Sequence, residues 1–240
     1  MDSTEALKST IVVSFSGIDG SGKSTQIREL CDCLRKNHQK FKVLTFWDDV
    51  ASFKNMREVA GRQIFGGDAG VGTPQAPIRR RDKDVQTLFM TFVRIGIYLV
   101  DAGNLRRAFK NALQSGADVI IFDRYIYDQI VNLNLQNPLL RWYARQILKL
   151  APAPHVALLL DADPAAARAR KPEYPVEFLH ANREAYLQLS RLVPGITVIP
   201  PLAQEQVRSR IAAYLASFAA SGVLFTIPNC PPVVVENPGA

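Results

Sequence analysis

The segment Gly17–Thr25, with the sequence GIDGSGKST, constrains the fold of this chain more than any other feature. It fits the pattern G-x-x-x-x-G-K-[ST] and lies between a predicted buried strand (11–16) and a predicted helix (about 23–37). In such a loop, glycines let backbone N–H groups converge on phosphate oxygens, and the N-terminus of the following helix adds partial positive charge. The segment therefore predicts a loop that binds phosphate groups.

The same motif predicts how a magnesium nucleotide such as ATP is held. We expect Lys23 to neutralise the β- and γ-phosphates, and we expect the Ser24 hydroxyl, or that of Thr25, to face Mg²⁺. Asp123 follows the apolar run 119–122 and is the candidate acid that orients Mg²⁺ or its waters. The expected nucleotide-binding residues of the loop are Gly17, Asp19, Gly20, Ser21, Gly22, Lys23, Ser24 and Thr25.

Strands and helices alternate along the chain. With 240 residues, of which 48% are hydrophobic, the sequence can build the core of one domain. Helical spacing of apolar residues separates short apolar runs, which predicts an α/β fold with a parallel sheet covered on both faces. The predicted strands are 11–16, 42–47, 119–122, 155–160 and 197–199.

Several segments fall outside this alternation. We predict one domain over residues 1–220, a mobile loop over about 66–84, and a proline-rich C-terminal arm over 221–240. No apolar run reaches the length of a membrane span, and the polar N-terminus does not resemble a secretory signal, so we expect a cytoplasmic protein. The net charge of +7 suits nucleic acid, an anionic surface or a phosphorylated small molecule, but Arg79–Arg81 lacks interleaved aromatic residues, so nucleic acid is not expected.

The order of the motifs is more selective than the phosphate loop alone. An N-K-x-D motif is absent from the sequence, which disfavours a GTPase. From residue 11 to residue 214 the blocks FSGIDGSGKST, LFMTFVR, FDRY, LDADPAAARAR and FLHANREAYLQL resemble those of thymidylate kinases. The resemblance implies a doubly wound sheet of five parallel strands and Mg²⁺-dependent transfer of the γ-phosphoryl group of ATP to dTMP. It also implies a homodimer, for which the apolar helix around residues 95–100 is the candidate interface.

The resemblance also implies roles for three side chains in the acceptor half of the site. Asp19 matches an acid that faces the acceptor sugar, Arg124 an arginine between the two phosphate sites, and Arg94 an arginine that reads the pyrimidine base. Each has a structural alternative. Asp19 could cap the turn, Arg124 could pair with a surface acid, and Arg94 could pair with a buried acid.

The sequence departs from the family pattern on the acceptor side and in the lid over ATP. Met90 replaces a stacking aromatic residue, and Trp47-Asp48-Asp49 replaces a loop with an arginine that holds the acceptor phosphate. We therefore predict that dTMP, if accepted, binds weakly.

The lid is reduced to about 170–176, so Arg168 and Arg170 are the candidates for transition-state charge, unless they form only a solvated helix end. Asp161 is interpreted as part of a helix-capping turn. We predict a dTMP kinase; the alternatives are a related phosphotransferase with another acceptor and a nucleotide-binding regulatory protein that has lost transfer.

Overall fold

A five-stranded parallel sheet forms the centre of the molecule. The computed structural model describes residues 10–51 and 88–220, apart from the side chains of 88–94 and 219–220. The strand order is β2-β3-β1-β4-β5, and every neighbouring pair is parallel. The strands are β1 Ile11–Ser16, β2 Phe41–Thr45, β3 Val119–Asp123, β4 Val156–Leu160 and β5 Ile196–Ile199.

Helices cover both faces of the sheet. Alternate residues of β1 enter two separate cores, one shared with Ile27 and Ile211 and the other with Leu105 and Ile147. This alternation is the two-sided burial that a parallel sheet requires, and it confirms the doubly wound fold. The helices are α1 Lys23–Lys36, α2 Leu88–Leu113, α3 Tyr127–Ile130, α4 Pro138–Leu150, α5 Pro164–Arg170, α6 Val176–Leu192 and α7 Gln204–Ala220.

Strand β2 ends two residues earlier than the apolar run predicts. Phe46 and Trp47 leave the strand and enter a single π-helical turn, Phe46–Val50. The Asp49 carboxylate accepts a hydrogen bond from the Thr45 N–H at 2.6 Å, and the Ala51 N–H donates to the Phe46 carbonyl at 2.8 Å. These bonds hold the turn while Phe46 and Val50 both stay buried, so the apolar pattern did not show it.

Helix α2 is continuous, although the apolar spacing over 85–96 and over 105–113 predicts two separate helical stretches. Gly96 and Gly103 lie inside it, and a Cβ at either position would meet no other atom within 4 Å. The short helix α3 was not predicted. The predicted segments 66–84 and 221–240 lie outside the described residues, so the domain boundaries stay predictions. Within the described ranges, no helix combines the length and the apolar character of a membrane span.

Candidate active site

The phosphate loop connects β1 to α1 at the carboxyl edge of the sheet. Gly17 and Gly20 have φ values of 140° and 80°, a region that other residues rarely adopt. A Cβ at Gly17 would collide with the Leu160 carbonyl oxygen, and one at Gly20 would collide with the backbone of Ala167. The loop therefore packs directly against the end of β4 and against α5, the helix that carries Arg168 and Arg170.

Lys23 is the first residue of α1 and is buried. Its Nζ donates to the carbonyl oxygens of Gly17 at 2.7 Å and Ile18 at 2.8 Å, and it lies 3.4 Å from the Ser21 hydroxyl. Burial is the main cause that lowers the pKa of Lys23 to about 7, and Arg124 lowers it further. The ammonium group thus lies across the loop, where an anionic phosphate would favour its charged form.

The candidate magnesium ligands lie at two adjacent positions of the fold. Ser24 is in the first turn of α1, and Asp123 ends β3, paired in register with Phe15 of β1. Burial raises the pKa of Asp123, while Lys23 and Arg124 act in the opposite direction. A hydroxyl and a carboxylate are hard oxygen donors that suit Mg²⁺, which usually keeps several waters and binds substrate phosphates. In residues 10–51 and 88–220 no group of three or more His, Cys, Asp or Glu side chains is arranged to hold a metal ion by itself.

Arg124 follows β3 and pairs with two acids. Its φ is 68°, and its N–H donates to the Phe15 carbonyl at 2.9 Å, which ties the strained backbone to β1. Nη1 donates to Asp128 Oδ1 at 2.9 Å, and Nη2 forms an ion pair with Asp19 of the phosphate loop. Although burial opposes the charge, Asp128 and Asp19 raise the pKa of Arg124 above its ordinary value. The structure thus brings together the two residues, Asp19 and Arg124, that the sequence names separately.

Asp128 is the site residue that sequence reasoning missed. Its carboxylate is buried and accepts four hydrogen bonds, from Ser16 Oγ (2.6 Å), Arg124 Nη1 (2.9 Å), the Tyr125 N–H (3.0 Å) and Tyr186 Oη (2.6 Å). The available signal was an acid four residues after Arg124, in the mostly apolar segment around α3. Because Arg124 has a left-handed φ and lies before α3, helical spacing does not predict their contact, which the turn between β3 and α3 sets instead.

The candidate lid arginines lie in the last turn of α5. Arg168 is half-buried, whereas Arg170 is exposed and donates from Nε to the Ala166 carbonyl at 3.3 Å. The chain then passes through an ion pair of Lys171 with Glu173, 3.2 Å long, and α6 begins at Val176. The segment 170–176 that the sequence suggests as a short lid forms the connection between α5 and α6, and its role as a lid stays a prediction.

Asp161 has a structural partner, in line with its interpretation, but it is not the helix cap. Its two carboxylate oxygens accept hydrogen bonds from Arg183 of α6, both at 2.6 Å. Asp163 caps α5 instead, because its Oδ1 accepts from the Ala166 N–H at 2.8 Å. Asp161, which directly follows β4, therefore holds α6 against the sheet.

The acceptor side is described only in part. Met90 and Arg94 lie in α2, but their side chains fall outside the description, so the base-reading role of Arg94 stays a prediction. The acidic segment that replaces the family's phosphate clamp is the π-helical turn after β2. Because Thr45 pairs in register with Asp123, this turn lies at the same edge of the sheet as the phosphate loop.

Among known proteins, the chain is similar to thymidylate kinases, although no family model matches it. A thymidylate kinase of Symbiobacterium thermophilum is 28% identical over 77% of this chain and 82% of its own length. A probable thymidylate kinase of Methanosphaera stadtmanae is 28% identical over 84% of this chain and 97% of its own length.

The fold agrees with these sequence relatives. The crystal structure of a thymidylate kinase from Ehrlichia chaffeensis superposes with a TM-score of 0.56, covering 86% of this chain and 98% of the other at 16% identity. At that identity the match concerns the fold alone, and it includes the five-stranded parallel sheet. The resemblance of this chain to thymidylate kinases is thereby confirmed, in sequence by its relatives and in fold by the solved structure.

Proposed function

We propose that this protein is a nucleotide kinase that transfers the γ-phosphoryl group of ATP to dTMP. The observation that carries the proposal is the convergence of Lys23, Asp123 and the Arg124–Asp19 pair at the carboxyl ends of β1 and β3. That edge of a parallel α/β sheet is where ligands bind. The relatives, which are named thymidylate kinases, support dTMP as the acceptor.

The residues of the loop would hold and position the phosphates. The glycines bring the backbone close, Lys23 turns from the loop carbonyls to the β- and γ-phosphates, and the α1 N-terminus adds its partial charge. Phosphoryl transfer needs mainly alignment and neutralisation of charge, so no covalent intermediate with the protein is required. We assign to Arg124 the stabilisation of the negative charge that develops on the transferred phosphoryl group. Arg168 and Arg170 of α5 would add further positive charge.

The balance of charge at the site favours a divalent cation. Two cationic side chains, Lys23 and Arg124, interact with three acids, Asp19, Asp123 and Asp128. An ATP molecule brings several further negative charges, which the two cations cannot offset alone. Ser24 and Asp123 would hold Mg²⁺, and when bound the ion would neutralise phosphate charge.

A second candidate is transfer to an acceptor other than dTMP. The observation in its favour is the π-helical turn after β2, which presents Asp48 and Asp49 at the edge shared with Asp123. Carboxylates there oppose the binding of a monophosphate, and losing a charge-assisted clamp weakens affinity by roughly 10- to 150-fold. An acceptor that reacts through a hydroxyl and carries less negative charge would avoid that repulsion.

A coupled assay of ADP release over a panel of nucleoside monophosphates and nucleosides tests both candidates. Turnover of at least about 1 per second with a micromolar KM for dTMP would support the first and exclude the second. Turnover with another acceptor and a poor KM for dTMP would support the second. Clear ATP binding without any turnover would remove both and favour a regulatory role.

The quaternary structure and location remain predictions. A homodimer through α2 is supported by the exposure of Leu99 and Val100, which lie on that helix. Light scattering coupled to size-exclusion chromatography tests it, with Leu99→Glu as the variant expected to separate the protomers. A cytoplasmic location is likewise inferred from the sequence and from the nucleotide substrates proposed above.

A further inference from the structure

We propose that Asp128 is the positioning residue of the transfer reaction: it anchors Nη1 of Arg124 so that Nη2 is directed at the transferred phosphoryl group. This inference rests on the proposed function, because Arg124 must act on a phosphate for its orientation to matter. It assigns different roles to the two arms of one guanidinium. Nη1 is held, and Nη2 is exchanged between Asp19 and the substrate.

The backbone of Arg124 is fixed before its side chain is considered. The left-handed conformation at φ 68° is unfavourable for a residue other than glycine, and the hydrogen bond to Phe15 holds it against β1. A long side chain leaving such a point still has several rotatable bonds. A second contact is therefore needed to place the guanidinium, and Asp128 provides it.

The Asp128 carboxylate cannot rotate without losing several bonds. Oδ1 accepts from Arg124 Nη1 and from the Tyr186 hydroxyl, while Oδ2 accepts from the Ser16 hydroxyl and the Tyr125 N–H. These donors come from β1, from α6 and from the turn before α3, so three parts of the fold fix one carboxylate. The side chain of Asp128 is 1% exposed. It is a rigid anchor in a site with little water.

Asp19 differs from Asp128 in a way that matches the second role. It lies on the phosphate loop itself, and its side chain is 13% exposed. A phosphate that enters the loop brings negative charge beside Nη2 and competes with the Asp19 carboxylate for that arm. The anchor on Nη1 is unaffected, so the guanidinium turns little when substrate binds. Preorganisation of this kind lowers the activation barrier with little effect on ATP affinity.

A double-mutant cycle separates positioning from simple stabilisation of the fold. We expect Asp128→Asn to lower kcat by about 10- to 100-fold while the Kd for ATP changes less than about threefold. In an Arg124→Lys background, the same substitution should lower kcat by less than about threefold, because its effect passes through the guanidinium. An equal loss of kcat in both backgrounds, or an equal loss in kcat and ATP affinity, would overturn the inference.

A milder variant covers the case in which Asp128→Asn does not fold. Tyr186→Phe removes one donor to Oδ1 and keeps the ring, and we expect kcat to fall by about two- to tenfold, again only when Arg124 is present. The matched control is Asp118→Asn at the other end of β3, where the carboxylate accepts from the Lys40 N–H at 2.8 Å. It should lower the melting temperature without changing kcat; a fall in kcat like that of Tyr186→Phe would count against the proposal.

One measurement remains informative even if the wild-type protein transfers no phosphoryl group, a result that would reject the proposed function. In ¹⁵N NMR spectra, a guanidinium held by two carboxylates rotates slowly and shows distinct Nη signals. We expect distinct signals for Arg124 in the wild-type protein, merged signals in Asp128→Asn, and faster exchange between the two signals in Tyr186→Phe, which keeps both carboxylates but loses one donor to Oδ1. Distinct signals that persist in Asp128→Asn, or an unchanged exchange rate in Tyr186→Phe, would count against Asp128 as the group that holds Arg124.

Discussion

The two halves of the site differ in what builds them. On the ATP side, the loop depends on backbone geometry: left-handed glycines, a helix N-terminus and contacts of the loop with β4 and α5. On the acceptor side, recognition would depend on side chains instead, among them Asp48 and Asp49 of the π-helical turn after β2. A site that binds its ligand through backbone groups tolerates few substitutions, whereas the specificity of a site that binds through side chains can be altered by single substitutions. The ATP side here keeps the family motif, and the departures are on the acceptor side and in the lid.

The strongest test of the ATP side is Lys23→Ala. We expect it to lower phosphoryl transfer by about 10²- to 10³-fold, because it removes a charge aimed at the phosphates from a preorganised site. The rate of ADP release measures the effect. The matched control is Lys36→Ala, which removes an exposed lysine from the other end of the same helix and should leave the rate unchanged. Near-wild-type turnover in folded Lys23→Ala would refute the phosphate-site assignment.

Gly20→Ala tests whether close packing against α5, in addition to the left-handed φ, requires a glycine at this position. Both Gly20 and Gly22 have left-handed φ values, so an alanine at either position costs about 1–2 kcal/mol of folding free energy. Only the methyl group at Gly20 would also collide with the backbone of Ala167. In urea unfolding we therefore expect Gly20→Ala to destabilise more than Gly22→Ala. Equal losses would show that α5 moves freely from the loop.

Asp48→Arg tests the acceptor side. If the acceptor phosphate binds beside the turn after β2, reversing this charge should lower the KM for dTMP by about tenfold and leave the KM for ATP unchanged. Asp49 is kept in this variant, because its carboxylate holds the turn through the Thr45 N–H. Steady-state kinetics at varied dTMP measures the change. An unchanged KM for dTMP would place the acceptor phosphate elsewhere and weaken the contrast between the two halves.

The smallest expected effect is a proton taken up with ATP. Since the pKa of Lys23 is about 7 in the free protein, a bound phosphate that restores its charge should draw in about half a proton at pH 7 and more at pH 8. Calorimetry in buffers of different ionisation enthalpy measures the uptake, and affinity should weaken as pH rises above 7. Lys23→Arg is the control, since an arginine stays charged. The same uptake in that variant would assign the proton to another group.

The lowered pKa of Lys23 also makes the free energy of unfolding depend on pH. An unfolded lysine keeps its proton up to about pH 10.5, whereas the folded one releases it near pH 7. Between these values the unfolded chain binds more protons, so the contribution of Lys23 to the free energy of unfolding rises with pH. This trend belongs to the free protein, and a bound phosphate that raises the pKa of Lys23 toward its unfolded value would weaken it.

The fold was largely predictable because its signals are local. Runs such as VIIF and VALLL are apolar throughout, as is typical of strands buried on both faces, and glycine spacing identified the loop without any knowledge of its neighbours. The turn at Phe46–Val50 was not predictable in this way. Buried aromatic and β-branched residues suit a strand equally well, and the hydrogen bonds that hold the turn, from the Thr45 N–H to Asp49 and from the Ala51 N–H to Phe46, leave no such pattern in the sequence.

The candidate site also combines residues that a local motif identifies with contacts that depend on packing between distant segments. The motif alone points to Lys23, Ser24 and the loop glycines, because the roles expected of them follow from positions within one short segment. Only the tertiary structure decided that Arg124 meets Asp19, 105 residues away, and that Tyr186 meets Asp128, 58 residues away. Such contacts depend on which strands become neighbours and how the helices cross them. The physical reason is that sequence spacing sets local geometry, whereas the pairing of buried charges is set by packing between distant segments.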